Sequence, residues 1–460
     1  MSTFHLTQRV SADDLMSLAS ERGSTPMQVG AVLILDASVG LDPGLVADAI
    51  AQRIAAVPRL RQRLVKVPLG CGRPVWVDDR DFAISHHFSV VPCPPGDEGA
   101  VLRVAAAMLR TRLPRDRPLW AAKLVTDTGQ GGAALIVVFH HVLADGIGGL
   151  AVLASLVDGA AEVRDVAFPR RMPPPYQLAV EAVTGRMRSV GRLPATLGRL
   201  RGGVSQLRPM FGVPQARTSL NTPTGPRTGF ATVQVDLSQV RSAAHAYRAT
   251  VNDVVLSAIA VALHRLLALR GEGVDQFVIS VPFSARREAS AGDLGNQSGV
   301  IPILVPGVGD AEQRLRSLAA RTRAAKRSQR GASTALLSPF FRLLAVAGLY
   351  RWFIDRQRMI HTFVTNLRGP ERRLSFLQCP VTGIIPLGVA TGNVTVSFAV
   401  LSYAGTLTIT LCADPDTCPD LFELRDALEE EVLLLTTLTS SGDAVGTGDG
   451  VAADEVEASP

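Results

Sequence analysis

The apolar positions in the first part of the chain alternate between strand-like and helix-like spacing. Strands are predicted at residues 29–35, 73–77 and 133–139, and helices at 43–57, 99–113 and 147–157. The run from Ala133 to Phe139 is continuously apolar and rich in Val and Ile, which indicates a strand buried on both faces. We therefore predict an N-terminal α/β domain over residues 1–164.

A second α/β pattern begins near residue 231. Strands are predicted at 233–237, 276–282 and 300–305, helices at 252–269, 311–330 and 419–435, and a hairpin at 394–401 and 406–411 around Tyr403-Ala404-Gly405. We predict a C-terminal α/β domain over residues 226–438. The remaining residues, 439–460, are rich in Gly, Ser, Asp and Glu, which predicts a disordered tail.

Between the two domains the composition changes to a basic crossover rich in Pro and Gly, residues 165–225. From Arg164 to Arg227 there are eleven arginines, no lysine and two acids, a net charge of +9, although the whole chain carries only +6. Such a segment suits nucleic acid or an anionic membrane. Nucleic-acid readers interleave aromatic side chains with the basic ones, and few aromatics occur here. The composition therefore favours a membrane surface over nucleic acid.

Length and composition indicate the number of domains and argue against several kinds of protein and site. The 460 residues exceed one hydrophobic core and suit two domains. The five cysteines are scattered, odd in number and without a CxxC pair, which argues against a disulfide framework or a zinc site and for reduced thiols in the cytoplasm. The sequence has neither an apolar signal-peptide segment nor eighteen consecutive uncharged apolar residues. We expect no membrane-spanning helix.

The strongest chemical signal is the string Phe139-His140-His141-Val142-Leu143-Ala144-Asp145-Gly146, an HHxxxDG motif directly after the buried strand. Histidine has an ordinary pKa near 6.5, so it accepts a proton at neutral pH. Strand alternation places His140 and His141 on opposite faces, one of them in the interior. Asp145 suits the N-cap of the next helix, and we expect its role to be structural.

Competing chemistries have no matching motif. The sequence contains no G-x-S-x-G string and no G-x-x-x-x-G-K-[ST] loop, which argues against a serine hydrolase and a nucleotide hydrolase. The two histidines are adjacent rather than four residues apart, so we expect no metal site.

HHxxxDG is shared by the coenzyme A-dependent acyltransferases, and further strings narrow the resemblance. The chain resembles the bacterial wax ester synthase/diacylglycerol acyltransferase family from about Ser11 to Leu435. The strings that carry the resemblance are Pro58-Arg59-Leu60-Arg61-Gln62-Arg63-Leu64, Trp76-Val77-Asp78-Asp79, Pro118-Leu119-Trp120, Leu220-Asn221, Gly225-Pro226-Arg227, Thr250-Val251-Asn252-Asp253-Val254-Val255, Gly295-Asn296 with Gly299, Asn366 with Gly369-Pro370, and Ser402-Tyr403 with Gly405.

The resemblance implies two domains like chloramphenicol acetyltransferase, each a mixed sheet flanked by helices, with an active-site tunnel between them. It implies acyl-CoA and a lipid alcohol as substrates, no bound cofactor, and a peripheral place at a membrane or lipid inclusion. His141 of the motif is then the proton acceptor, and His140, Asp145 and Gly146 support it. Asn252 is implied in the catalytic region, where it orients substrate or stabilises the oxyanion, although it would also suit a helix N-cap.

Three further residues are candidates for substrate binding: Trp120, Arg286 and Asn366. Trp120 would equally be a packing anchor. Arg286 and Arg287 suit the phosphates of coenzyme A, Asp145, or solvent. The chain departs from the family pattern in having Gln28 for a common histidine, Ala121 for an acid, and Leu367-Arg368 within Thr365-Asn366-Leu367-Arg368.

The leading hypothesis is acyl transfer from acyl-CoA to diacylglycerol or a long-chain alcohol. Two alternatives remain: transfer to a polyketide or other hydroxylated lipid, including carrier-bound substrates, and a lipid-binding relative without activity. The sequence leaves the preferred alcohol, the chain length and the oligomeric state open.

Overall fold

A computed structural model describes residues 8–11, 14, 15, 18, 21, 25–38, 40–94, 99–129, 131–160, 168–190, 217–284, 298–328, 344 and 347–443. The strands are β1 (Gln28–Asp36), β2 (Gln62–Val65), β3 (Val75–Asp78), β4 (Phe88–Pro92), β5 (Trp120–Thr126), β6 (Gly132–His140), β7 (Gly229–Asp236), β8 (Gln276–Ser284), β9 (Ser298–Pro306), β10 (Thr362–Arg368), β11 (Ser375–Phe376), β12 (Cys379–Leu387), β13 (Val396–Tyr403) and β14 (Thr406–Ala413). The α-helices are α1 (Pro43–Arg53), α2 (Ala100–Arg110), α3 (Gly146–Leu156), α4 (Pro175–Val190), α5 (Leu237–Ala246), α6 (Val251–Leu269), α7 (Ala311–Ser328), α8 (Tyr350–Ile354) and α9 (Leu421–Asp443).

The first sheet has the strand order β11-β12-β1-β6-β5-β4. The sheet is mixed: β4 runs parallel to β5, whereas the other pairs of neighbouring strands in the sheet are antiparallel. Strand β6 lies in the middle and is buried along nearly its whole length. Its odd-numbered side chains from Leu135 to Phe139 pack with α1 and α3, and its even-numbered ones from Ala134 to Val138 pack with α2. The continuous apolar run therefore reflects helices on both faces, as predicted.

Strands β11 and β12 come from the C-terminal half of the chain but belong to the first sheet, where β12 pairs with β1 from Leu35 to Gly30. The prediction that residues 226–438 form a separate C-terminal domain is therefore wrong for 375–387. The local sequence gives no warning, because Pro380, Gly383 and Pro386 count against any strand there.

The second sheet has the order β7-β14-β13-β10-β8-β9 and is also mixed, with β10 parallel to both β8 and β13. The predicted hairpin is confirmed as β13–β14, closed by a two-residue turn in which Ala404 and Gly405 both have positive φ, 46° and 90°. That conformation matches the twist of a tight hairpin. Helices α5, α6, α7 and α9 cover one face of this sheet.

The opposite face of the second sheet meets the first domain. Leu401 and Tyr403 of β13 pack in the core of the first domain, and Phe230 and Cys412 pack with α2. The two sheets are thus joined by apolar contacts rather than by the crossover alone.

Helix α6 is long and apolar enough to cross a membrane, but 72% of its most apolar window is buried inside the protein. It packs with α5, α7 and α9 as the central helix of the second core. All five cysteines are buried and form no disulfide.

The predicted start of the tail differs from the structure. Helix α9 continues to Asp443, past the predicted start of the disordered tail at 439, and residues 444–460 lie outside the described part of the chain. In the crossover, residues 175–190 form α4, and residues 191–216 also lie outside the described part.

Candidate active site

The two motif histidines stand where β6 leaves the sheet. The backbone N–H of His141 donates to Met27 O at 2.8 Å, and that of Leu143 donates to His140 O at 2.8 Å. The chain therefore turns immediately after the strand while remaining tied to the start of β1. His140 continues the row of β6 side chains that faces α2 and is 1% exposed, whereas His141 is partly exposed.

His140 is held on both ring nitrogens. The backbone N–H of Val142 donates to its Nδ1 at 2.9 Å, so Nε2 carries the proton of the neutral ring. That nitrogen lies 3.2 Å from Oε2 of Glu21, a buried carboxylate that also pairs with Arg115. Burial acts to raise the pKa of Glu21, but His140 and Arg115 outweigh it and lower the pKa to about 2. His140 is therefore held in the interior of the protein.

The sequence did not predict a role for Glu21. It lies in a stretch without periodicity, and nothing in its neighbours predicts that an acid there would be buried beside the motif. The one usable signal is the adjacency of two histidines, since the interior one requires a polar partner.

His141, the second histidine of the motif, has different surroundings from His140. Burial lowers the pKa of His141 below the ordinary 6.5, and His140 lowers it further, while a hydrogen bond with its own backbone and the charges of Asp145 and Asp14 act in the opposite direction. The imidazole is therefore neutral at neutral pH. A neutral, partly exposed imidazole is the state that a general base needs.

Asp145 is the N-cap of α3, as predicted. Its Oδ1 accepts from the N–H of Gly148 at 2.9 Å, and its backbone carbonyl accepts from Gly149 at 2.7 Å. The carboxylate is 3% exposed. It shapes the loop after His141 and also contributes charge to the surroundings of that histidine.

Two glycines of the motif region permit close packing. A Cβ at Gly149 would lie 2.5 Å from the ring of Phe139, so only glycine lets α3 sit against the end of β6. A Cβ at Gly146 would lie 2.9 Å from a methyl group of Leu367 on β10. Gly146 thus brings the second sheet against the start of α3.

Asn252 and Asn366, which lie far apart in sequence, meet in the structure. Asn366 Nδ2 donates to Asn252 Oδ1 at 3.2 Å. The N-cap of α6 is Thr250, which forms a capping box with Asp253, so the interpretation of Asn252 as the cap is wrong. The reason is spacing: Thr250 and Asp253 stand at the N-cap and N3 positions, where each satisfies the other's backbone N–H. Asn252 remains available for a polar role beside Asn366.

Trp120 lies in the core, 2% exposed, and its Nε1 donates to Leu60 O at 2.8 Å. His87 stacks on the indole at 4.7 Å and is itself hydrogen-bonded to Trp120 O at 2.9 Å. These contacts assign Trp120 to packing rather than to a substrate surface.

Two of the three departures from the family pattern have local explanations. Gln28 caps the end of α2: its amide donates to Leu109 O at 2.9 Å and Thr111 O at 3.0 Å, and it accepts from Leu113 N at 2.9 Å. Leu367 makes the contact at Gly146, and Arg368 is exposed and pairs with Glu371 at 2.7 Å. For Ala121, partly buried on β5, the structure offers no explanation. Arg286, Arg287, Gly295 and Asn296 lie outside the described residues, so the three alternatives for Arg286 and Arg287, namely coenzyme A phosphates, Asp145 or solvent, stay open.

The remaining motif residues form a junction between the sheets. Gly369 N donates to Ser402 O at 2.9 Å, and a Cβ at Gly369 would lie 2.5 Å from that oxygen. Tyr403 donates its hydroxyl to Val381 O on β12 at 2.9 Å and accepts from Leu374 N at 2.7 Å. These residues join the second sheet to the strands that the C-terminal half adds to the first.

Two protein-family models match this chain. The wax ester synthase/diacylglycerol acyltransferase catalytic domain model matches residues 10–255, and the WS/DGAT C-terminal domain model matches residues 294–436. A putative diacylglycerol O-acyltransferase of Mycobacterium tuberculosis is 28% identical over 460 residues, which covers 92% of this chain and 89% of the relative. A probable diacylglycerol O-acyltransferase, tgs1, of the same organism is 29% identical over 440 residues, 90% of this chain and 92% of the relative.

Among solved structures, the wax ester synthase/diacylglycerol acyltransferase from Marinobacter aquaeolei VT8 superposes with a TM-score of 0.69 at 22% identity, over 94% of this chain and 100% of that one. The starter condensation domain of rhizomide synthetase, with C8-CoA and Leu-SNAC, superposes with a TM-score of 0.63 at 16% identity, over 94% of each chain. These likenesses show the fold, two mixed sheets flanked by helices. With both family models matching in chain order over most of its length, the chain belongs to the wax ester synthase/diacylglycerol acyltransferase family and is an acyltransferase.

Proposed function

We propose that this acyltransferase moves a long-chain acyl group from acyl-CoA to the hydroxyl of diacylglycerol, and to long-chain alcohols, with His141 as the general base. The observation that carries the proposal is the contrast between the two motif histidines. His140 is enclosed by Val142 and Glu21, whereas His141 is partly exposed and has a pKa lowered by burial.

In the proposed reaction His141 accepts the proton of the acceptor hydroxyl as its oxygen attacks the thioester carbonyl. The tetrahedral intermediate collapses with cleavage of the carbon–sulfur bond, and the proton on His141 passes to the departing thiolate of coenzyme A. Bond formation and cleavage balance without a cofactor or an acyl-enzyme. The Asn252–Asn366 pair orients a substrate or the developing oxyanion from the second sheet.

The substrate classes rest on the relatives. Two mycobacterial relatives are described as diacylglycerol O-acyltransferases, and the Marinobacter protein is described as a wax ester synthase/diacylglycerol acyltransferase. Their coverage of nearly the whole chain supports a lipid alcohol as acceptor over a polyketide.

We propose further that the protein acts in the cytoplasm, peripherally at a membrane or lipid inclusion, because both products and acceptors partition into lipid. Helix α7 supports this with exposed Arg321 and Arg323. Its apolar face is not available to lipid, since Leu315 and Leu318 are buried in the second core. A second candidate is the segment 335–354, which is largely apolar but interrupted by Arg342 and Arg351. Most of it lies outside the described residues; within it, Trp352 on α8 is exposed.

The test is turnover by the purified protein with palmitoyl-CoA and either diacylglycerol or hexadecanol. We expect ester formation, and a loss of about 10²–10⁴-fold in His141→Ala. His245→Ala, at an exposed histidine on α5, is the matched control and should keep full activity. Full turnover by His141→Ala would refute the base. Turnover with a carrier-bound acyl donor alone would support the condensation-type alternative, and binding of lipid without turnover would support the inactive relative.

A further inference from the structure

Helix α4, in the basic crossover, has two apolar faces. Its inner face packs Leu178 and Ala179 on a small cluster formed by Cys71, Val75 and Val77. Arg9 fixes it there by donating to Leu178 O at 2.8 Å and to Cys71 O at 2.7 Å. The helix is therefore docked on the small sheet of β2 and β3 as a part of the first domain.

The outer face of α4 carries a row of apolar side chains, which we call the outer stripe. Its members, with their exposed fractions, are Tyr176 (73%), Val180 (61%), Val183 (49%) and Met187 (70%). The spacing of four, three and four residues puts them on one side of the helix over about 16 Å. A continuous apolar row of this kind on a docked helix marks an interaction surface rather than a scatter of surface residues.

The charge beside the outer stripe indicates what covers it. Glu181 is the one acid in residues 168–190, and it turns inward to Arg9 at 3.5 Å. The same residues include four arginines; Arg171, just before the helix, and Arg186, next to Met187 in the chain, are exposed. Exposed apolar side chains with an exposed arginine near each end of the row, and an aromatic residue at one end, match the boundary between acyl chains and anionic headgroups.

A second copy of the chain fits this surface less well. Two stripes packed face to face would bring their arginines together, and a strip about 16 Å long is small beside the roughly 1,200–2,000 Å² that stable protein interfaces bury.

We propose that the outer stripe of α4 is a membrane-docking surface, inserting its four apolar side chains into an anionic lipid surface. This inference adds a specific element to the peripheral location proposed above, and it does not depend on which acyl acceptor is used.

The experiment is cosedimentation of the full chain with vesicles of phosphatidylcholine alone or mixed with phosphatidylglycerol. We expect the wild type to bind the anionic vesicles more strongly. Val180→Asn/Met187→Gln should weaken partitioning about ten-fold or more. The matched control is Leu45→Gln/Leu433→Gln, which removes two exposed apolar side chains from α1 and α9 and should bind as the wild type does.

A second readout reports insertion directly. An environment-sensitive fluorophore on Val183→Cys should shift to shorter wavelength when anionic vesicles are added, whereas the same label on Leu45→Cys should not. The stripe variant should keep its rate toward a water-soluble short-chain alcohol, which shows that it is folded.

The proposal would be overturned if Val180→Asn/Met187→Gln bound anionic vesicles as strongly as the wild type does, or if the emission of the label at residue 183 did not shift. It would also be overturned if the variant changed its oligomeric state, measured by light scattering, while its vesicle binding stayed unchanged, because the stripe would then be a contact between copies. Vesicle binding needs no turnover, so absence of acyl transfer in the wild type would refute the proposed function and leave the docking surface standing.

Discussion

At the scale of single residues, the different surroundings of His140 and His141 follow from strand alternation. The side chain that continues the inner row of β6 meets a carboxylate, and its neighbour emerges at the edge of the sheet. The Nδ1 of buried His140 accepts a backbone hydrogen bond and its Nε2 lies 3.2 Å from Glu21, so His140 restrains the backbone from which His141 projects.

The pKa of His141 predicts the pH dependence of transfer. Because burial lowers that pKa, the base stays neutral to a lower pH than an ordinary histidine would. We expect the acid limb of the kcat/KM profile to have an apparent pKa below 6.5. Initial rates between pH 5 and 8 with palmitoyl-CoA would measure it, and a limb above 6.5 would contradict a desolvated base.

Glu21 is expected to stabilise the site through His140. Its pKa falls from 4.5 to about 2 on folding, so its contribution is fully present above about pH 4.5 and is lost as pH falls toward 2. Glu21→Gln should lower the free energy of unfolding by about 1–3 kcal/mol at pH 7, and by less at pH 4. Urea unfolding measures this. Glu312→Gln, at an exposed acid paired with Arg316, is the control and should change stability little; equal losses in both variants would remove the special role of Glu21.

At the scale of elements, helix α3 is shaped by its first turn. Asp145 caps it, Gly149 allows contact with Phe139, and Gly146 allows contact with Leu367 of the second sheet. The motif's Asp-Gly pair therefore serves helix initiation and domain contact together, which explains why the string has this composition after a buried strand.

Two substitutions at Asp145 distinguish its role as a helix cap from the effect of its charge on His141. Asp145→Asn keeps the cap but removes a charge that raises the pKa of His141, so we expect near-normal stability and an acid limb shifted to lower pH. Asp145→Ala should also lower stability by about 1 kcal/mol. Thermal unfolding and pH profiles of both variants measure the two effects. Complete inactivity of a stable Asp145→Asn protein would instead indicate a direct chemical role.

At the scale of the whole molecule, the site is built by both halves of the chain. Strand β12 completes the first sheet, and β10 brings Asn366 to Asn252 and Leu367 to Gly146. Acyl donor and acceptor are expected to meet at His141 in one ternary complex.

Direct transfer predicts that no acyl-enzyme forms. Intact-mass spectrometry after incubation with palmitoyl-CoA alone should show an unmodified chain. Burial raises the pKa of Cys412 and of Cys418 to about 12, so neither thiol is an activated nucleophile. An adduct that is released when the alcohol is added would overturn the direct mechanism.

Local sequence signals were enough to predict four features: the buried strand before the motif, the hairpin at Tyr403-Ala404-Gly405, the long helix after Thr250, and the motif with its resemblance. These follow from periodicity and turn chemistry within a few residues of each other. The tertiary structure alone decided that β12 joins the first sheet, that Asn252 meets Asn366 rather than capping its helix, and that Glu21 lies beside His140. Each of these depends on contacts between distant segments, whose free energy comes from burying and pairing groups that no local pattern links.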